Sequence, residues 1–221
     1  MDRPDLNLPM ETALDGTSVE VPPEYWSALQ TAEPSSIVRR SLARREAGGY
    51  FLPFLHRLIF VDPENRRLLD GDRRPDPALR RALLELVVLV YLLSVSEAAE
   101  REEVASARDL PAGHFFRGPH ALPSGRLVER FGRDSEGFAR AGRALGGSSV
   151  EMGDVAFRLR PLPRVPLYFL LWEGDEEFPA EASILFDRSI SDHLSPDAIW
   201  GLVNLVTDLL VSEEWSASGN G

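Results

Sequence analysis

From Leu83 to Leu93 almost every position is apolar. A helix built from such a run is apolar all round and belongs at the centre of a core. Asp76 followed by Pro77 reads as an N-cap and first helical residue, which predicts a helix from about Pro77 to Ser96. Ser195-Pro196 marks the start of another helix, to about Val211. Its Ile199, Trp200, Leu202, Val203, Val206, Leu209 and Leu210 form a broad apolar stripe. A third helix is capped by Asp134 or Ser135, aligns Phe138, Ala141 and Leu145 on one face, and ends at Gly146-Gly147. A further helical region is predicted over Pro23 to Glu46, broken near Glu33-Pro34.

The remaining pattern has the period of strands. Val155, Phe157 and Leu159 alternate with Ala156, Arg158 and Arg160, as in a strand with one wet face. Leu167 to Trp172 is apolar on both faces, which predicts a central strand. Ser183 to Phe186 is read as the next strand, antiparallel to it, and "PLPRVP" before Leu167 as a stiff extended connector. Leu58 to Val61 and Arg66 to Leu69 flank Asp-Pro-Glu-Asn, a turn sequence with Pro at its second position. The order of elements predicts α+β: a mostly antiparallel sheet, made of a hairpin and a C-terminal meander, packed with helices in a single domain over residues 21–213. Residues 1–20 lack periodicity and read as a flexible acidic arm, and 214–221 as a flexible tail.

Composition narrows the chemistry. With 221 residues, 43% apolar and 27% charged, the chain falls in the globular class. It has no cysteine, which excludes thiolate nucleophiles, disulfides and cysteine-ligated metal centres. It has no lysine either: all 24 basic residues are arginine, which excludes a Schiff-base lysine and a P-loop. A net charge of −11 argues against nucleic acid or an anionic membrane as the partner. The longest apolar run, Ala82 to Val95, is too short to span a membrane, and the acidic start lacks the apolar core of a secretion signal, so a cytoplasmic protein is expected. Charge is uneven along the chain. Residues 1–35 carry seven acids and one base, whereas residues 36–81 carry eleven arginines and six acids.

Two stretches hold the candidate chemistry. "WEGDEEFPAEASILFD", Trp172 to Asp187, places Glu173, Asp175, Glu176, Glu177 and Glu181 between two strands, with Trp172 and Phe178 bracketing the acids. One reading is a solvated acidic hairpin loop. Another is a carboxylate cluster, Asp175, Glu176 and Glu177, whose mutual repulsion raises one pKa for acid–base work. Antiparallel pairing would put Asp187 at the opposite sheet end from Asp175. The second stretch, "LPAGHFFRGPHALPSG" at 110–125, sets His114, Phe115, Phe116, Arg117 and His120 in a Gly/Pro-rich loop. Packed, satisfied histidines are the plain reading, and metal contact the sharper one. His193 lies just before the last helix, as a capping residue or a third candidate metal ligand beside His114 and His120. Dinucleotide, nucleophile-elbow, paired-histidine and calcium-loop motifs are missing from the sequence.

With these residues, notably His114, Phe115, His120, Pro163, Pro166, Trp172, Asp175 to Pro179, Phe186 and Asp187, the chain resembles an uncharacterised domain family over about residues 35–212. Its members are mostly from anaerobic bacteria and archaea, and some are fused to iron–sulfur modules of the kind found in corrinoid proteins. The resemblance implies a link to tetrapyrrole metabolism and no specified activity. Three functions are thus expected as alternatives. The first is a binding protein for a flat metal–tetrapyrrole such as haem or cobalamin. His114, Phe115, Arg117, His120, Trp172 and Phe178 would contact that cofactor, and His114, His120 or His193 would serve as axial ligand. The second is a carboxylate-based or metal-dependent enzyme acting on a small molecule. The third is an interaction module whose partner is a protein or a second copy. Chemical complementarity further leads to the expectation that the acidic tract and the 110–125 loop meet and line one pocket.

Overall fold

Strand formation begins with a turn. In the computed structural model, which describes residues 21–212, Asp62 accepts a hydrogen bond from Asn65 N at 3.2 Å and from Asn65 Nδ2 at 2.8 Å. That closes the Asp-Pro-Glu-Asn turn between β3 (Arg57–Asp62) and β4 (Arg67–Asp70). β1 (Arg44–Glu46) and β2 (Gly49–Phe54) complete a four-stranded antiparallel sheet in the order β1-β2-β3-β4. The arm and tail expected at 1–20 and 214–221 lie outside the described residues.

A second antiparallel sheet has the order β5-β9-β8-β7-β6. Its strands are β5 (Val104–Ser106), β6 (Ser148–Ser149), β7 (Val155–Leu162), β8 (Val165–Trp172) and β9 (Glu181–Asp187). β8 is central, as its two apolar faces require, and β9 pairs with it antiparallel, Trp172 opposite Glu181 and Leu167 opposite Phe186. The fold is therefore α+β, with two antiparallel sheets where the sequence suggested one. They meet where Leu55 N donates to Pro161 O at 3.0 Å.

Helices enclose what the sheets leave open. α1 (Pro23–Thr31) and α2 (Pro34–Ser41) are separated at Glu33, which caps α2 by accepting from Ser35 N and Ser36 N. α3 (Ala82–Ser94) is buried along almost its whole length and packs on α1, α2 and the last helix. α4 (Ser124–Phe131) packs on β9, and α5 (Ser135–Ala144) lies on β7. A short α6 (Ile190–His193) leads into α7 (Pro196–Ser212). Among the described residues, no helix is long and apolar enough to cross a membrane.

Four local expectations need correction. Asp76 caps only a 3-10 turn, Pro77–Leu79; Arg81 is extended, and α3 starts at Ala82. The Asp76 carboxylate is also paired with the Arg57 guanidinium, which holds the turn against the first sheet instead of in line with α3. The first helical region ends at Ser41 because Leu42 adopts the left-handed conformation (φ 60°), so Arg44 to Glu46 becomes a strand. "PLPRVP" is no connector: Leu162 pairs with Val165, and Pro163-Arg164 is the two-residue turn of the β7–β8 hairpin. Finally, the Gly/Pro-rich loop expected at 110–125 ends in a helix, Ser124–Phe131, which the sequence reading did not include.

Leu86 and Leu89 of α3 are 1% and 0% exposed. Leu89→Ala should lower stability by about 2–5 kcal/mol through the cavity it leaves. An unchanged urea midpoint would show that α3 is not the centre of the core.

Candidate functional site

The acidic tract is a built turn. Asp175 Oδ1 accepts the backbone N–H of Glu177 at 2.8 Å and of Phe178 at 2.7 Å, while Asp175 N donates to Phe178 O at 2.9 Å. Around it, Glu173 N donates to Asp154 Oδ2 at 2.9 Å, Glu173 Oε2 accepts from Ser135 Oγ at 3.0 Å, and Gly174 N donates to Gly132 O at 3.3 Å. The hydrogen bonds from Phe178 N and Glu177 N hold the Asp175 carboxyl below the usual aspartate value. At Asp175 the shift is opposite to that of a carboxylate raised for acid–base work, and its side chain orders the loop.

The rest of the tract faces outward. Glu173, Asp175, Glu176, Glu177 and Glu181 are exposed, and among the described residues none of them meets an arginine. Trp172 is 37% exposed and Phe178 is 67% exposed. Beside Phe178 is an open groove of about 370 Å³, whose walls include Val128, Arg133, Asp175, Phe178 and Ala180. The groove is made by the unanticipated helix α4 and the turn after it. The 110–125 loop contributes nothing to its walls.

That loop packs elsewhere. Phe115 stacks on His120 with ring centroids 4.2 Å apart, His120 meets Trp200 of α7 edge-on at 5.4 Å, and Phe116 lies 6.4 Å from Phe186. Phe186 pairs with Leu167, five residues along β8 from Trp172. At the rise of a strand, roughly 3.3 Å per residue, this places Phe116 on the order of 16 Å from the tract end of the sheet. The shared pocket expected for the two stretches is therefore not formed. His114 and Arg117 are exposed, and His193 is buried in α6 with Nδ1 3.1 Å from Ser96 Oγ. Among the described residues no three His, Asp or Glu side chains are grouped to hold a metal ion, so His114, His120 and His193 do not form one site.

The opposite end of β9 holds the polar cluster that the sequence left without a role. Asp187 is 1% exposed and its Oδ1 accepts from Ser189 Oγ at 2.5 Å, Ser189 N at 2.9 Å and Arg101 N at 3.0 Å. Burial pushes its carboxyl up, but the hydrogen bonds from Ser189 and from backbone N–H groups outweigh it, and the net shift is downward. Arg101 also pairs with Asp192 at 2.7 Å, and Glu100 bridges Arg158 and Arg160 of β7. Asp187 thus anchors the segment after α3 onto the sheet. The spacing Asp187-x-Ser189 was the available signal for such a turn.

Asp187→Ala would strand buried backbone N–H groups, at a cost of about 1–3 kcal/mol. Because the folded-state pKa lies below the unfolded one, this contribution is fully present above an unfolded Asp value of about 3.9 and is lost as pH falls through the lower folded value. Wild type and Asp187→Ala should therefore differ most in urea midpoint near pH 7 and converge below about pH 4. A difference that stays constant as pH falls well below about 4 would refute the assignment.

No curated protein and no solved structure matches the chain. Residues 33–208, a span that takes in the tract, the aromatic loop and the Asp187 cluster, match the family model of a domain of unknown function, DUF3786, and the chain belongs to that family.

Proposed function

We propose that this domain is an interaction module that binds a basic partner segment through the loop between β8 and β9. The observation that carries this reading is the exposure of Trp172 and Phe178 beside carboxylates that have no basic partner among the described residues. Large aromatics are usually withdrawn from water, and when exposed with a polar rim they mark contact surfaces. The hydrogen bonds of Asp175 hold the loop in one shape, so little ordering entropy is lost on binding. An arginine- or lysine-bearing segment with one apolar side chain fits this chemistry: the cations meet Glu173, Glu176 and Glu177, and the apolar group enters the groove beside Phe178. The iron–sulfur fusions implied by the resemblance agree with a domain that works beside another module, and a cytoplasmic setting accompanies the same reading.

The flat-cofactor alternative would use Phe115 and His120, but these rings stack on each other, which leaves no slot between them. The two readings separate in one experiment. The full chain is panned against a displayed library of random peptides, and it is also titrated with haem and with cobalamin while visible absorption is followed. The expected outcome is enrichment of peptides that combine Arg or Lys with an aromatic or branched residue. Their binding should weaken when salt shortens the screening length from about 10 Å at 0.1 M to about 3 Å at 1 M. Phe178→Ser, and separately Glu176→Gln with Glu177→Gln, should abolish it. As surface changes they should alter stability by no more than about 0.5 kcal/mol. Selected peptides without basic residues would overturn the proposal, as would a stoichiometric shift in a haem or cobalamin band that depends on His120.

A further inference from the structure

The four-stranded sheet has a second face, turned away from the core. Its strands register Arg44 opposite Phe51, Phe51 opposite Phe60, and Phe60 opposite Leu69, so these four residues form one row on one side. Phe51, Phe60 and Leu69, only 5%, 4% and 5% exposed, make an apolar cluster separate from the main core, and among the described residues no helix contributes a hydrophobic residue to it. Arginines roof the row. The Arg44 guanidinium lies 4.8 Å from the Phe51 centroid, and that of Arg73 lies 4.5 Å from Phe60 and 5.2 Å from Phe51. Both guanidiniums meet the same carboxylate, Glu46, at 2.8 and 3.4 Å. Two cations sharing one anion leave net positive charge above the rings. A guanidinium has five N–H donors, so both retain capacity for further carboxylates. At the edges of the face, Leu58 is 41% exposed and Pro53 is exposed.

We infer that residues 1–20 of the same chain dock across this face. Charge is the first argument: that segment contains Asp2, Asp5, Glu11, Asp15 and Glu20 against Arg3 alone. Its composition is the second. Leu6, Leu8, Met10, Leu14 and Val19 are interspersed among the acids and would cover Leu58 and the margins of the aromatic row. Reach is the third. The C-terminal half of α1 borders the turns at this end of the sheet, with Leu29 and Gln30 beside Arg45, Gly48 and Pro63, and Gln30 Nε2 donating to Pro63 O at 2.7 Å. Nine helical residues rise about 13.5 Å, so the segment joins the described chain on the order of 15 Å from the sheet. Twenty residues extend to roughly 66–72 Å, and four strands are only about 14 Å across. The tether also raises the local concentration of the segment to the millimolar range, an advantage over any free acidic chain. The acidic loop at Glu173 to Glu181 cannot be the occupant within one molecule. It lies at the Trp172 end of β8, whereas the four-stranded sheet touches Pro161 near the opposite end.

The test uses the full chain and its freedom from cysteine. Asn7→Cys gives a single thiol for a nitroxide label, and loss of amide signals by paramagnetic broadening is read by nuclear magnetic resonance. Broadening is expected over β1 to β4, with Phe51, Phe60 and Leu69 among the signals lost. The signals should return when the screening length falls to about 3 Å in 1 M salt. Arg44→Glu with Arg73→Glu should also restore them. If that pair fails to fold, Asp5→Asn, Glu11→Gln, Asp15→Asn and Glu20→Gln, which leave residues 21–212 untouched, should restore them instead. Three results would overturn the inference: no localised broadening, broadening centred on the 110–125 loop, or broadening that persists in salt and in the acid-neutralised variant. A fourth is broadening between molecules, seen when labelled chain is mixed with isotopically enriched unlabelled chain, because the occupant would then be a second copy.

Discussion

Everything in this fold answers to the enclosure of α3. From Leu83 to Leu93 the helix presents apolar surface in every direction, and a single sheet or helix covers only one side of it. α1 and α2, α7 and the inner faces of both sheets contribute to the one core cluster that contains it. The few polar groups along the helix are therefore constrained. Trp26 Nε1 donates to Glu85 Oε1 at 2.8 Å, and burial raises the Glu85 carboxyl. Tyr91 OH donates to Ser41 O at 3.0 Å and accepts from Arg164 N at 3.3 Å, so one phenol joins α2, α3 and the β7–β8 turn. Burial pushes that phenol far above the usual tyrosine value, so it stays protonated in the folded protein. A residue that joins three elements in this way has no freedom left for chemistry.

Sequence patterning revealed those parts of the fold whose determinants are local. The Asp62 turn, the Asp134 cap and the apolar β8 follow from a few adjacent residues, and each is present. Where a distant partner decides the outcome, local signals mislead. Asp76 caps a turn and not α3 because Arg57, nineteen residues away, holds its carboxylate. Helix α4 begins after Pro123 and includes Gly125, and those residues concealed the spacing of Leu127 and Phe131 that buries it. The division into two sheets rests on strand edges, for which short stretches such as Arg44 to Glu46 carry no hydrophobic signature. The candidate site suffered most. Chemical complementarity between the tract and the 110–125 loop is real in composition, but it contains no distance, and antiparallel pairing separates the two along β9.

The two ends of β9 show how environment, and not residue type, assigns a carboxylate its work. Asp175 and Asp187 both accept the backbone N–H two residues ahead, from Glu177 and Ser189, and both titrate below the usual aspartate range. The same turn device therefore occurs twice. At Asp187 it is buried and draws Arg101 N onto the sheet, so its product is stability. At Asp175 it is exposed, and a carboxylate in water gains little from its hydrogen bonds. What the exposed turn does achieve is geometric. It fixes Phe178 at the wall of the groove beside α4, next to the exposed Glu176 and Glu177. An ordered turn that contributes little stability while holding an aromatic ring in solvent is best explained by what the ring meets. This is the ground on which the loop is proposed as a contact surface, although its acids taken alone would have suggested a reaction.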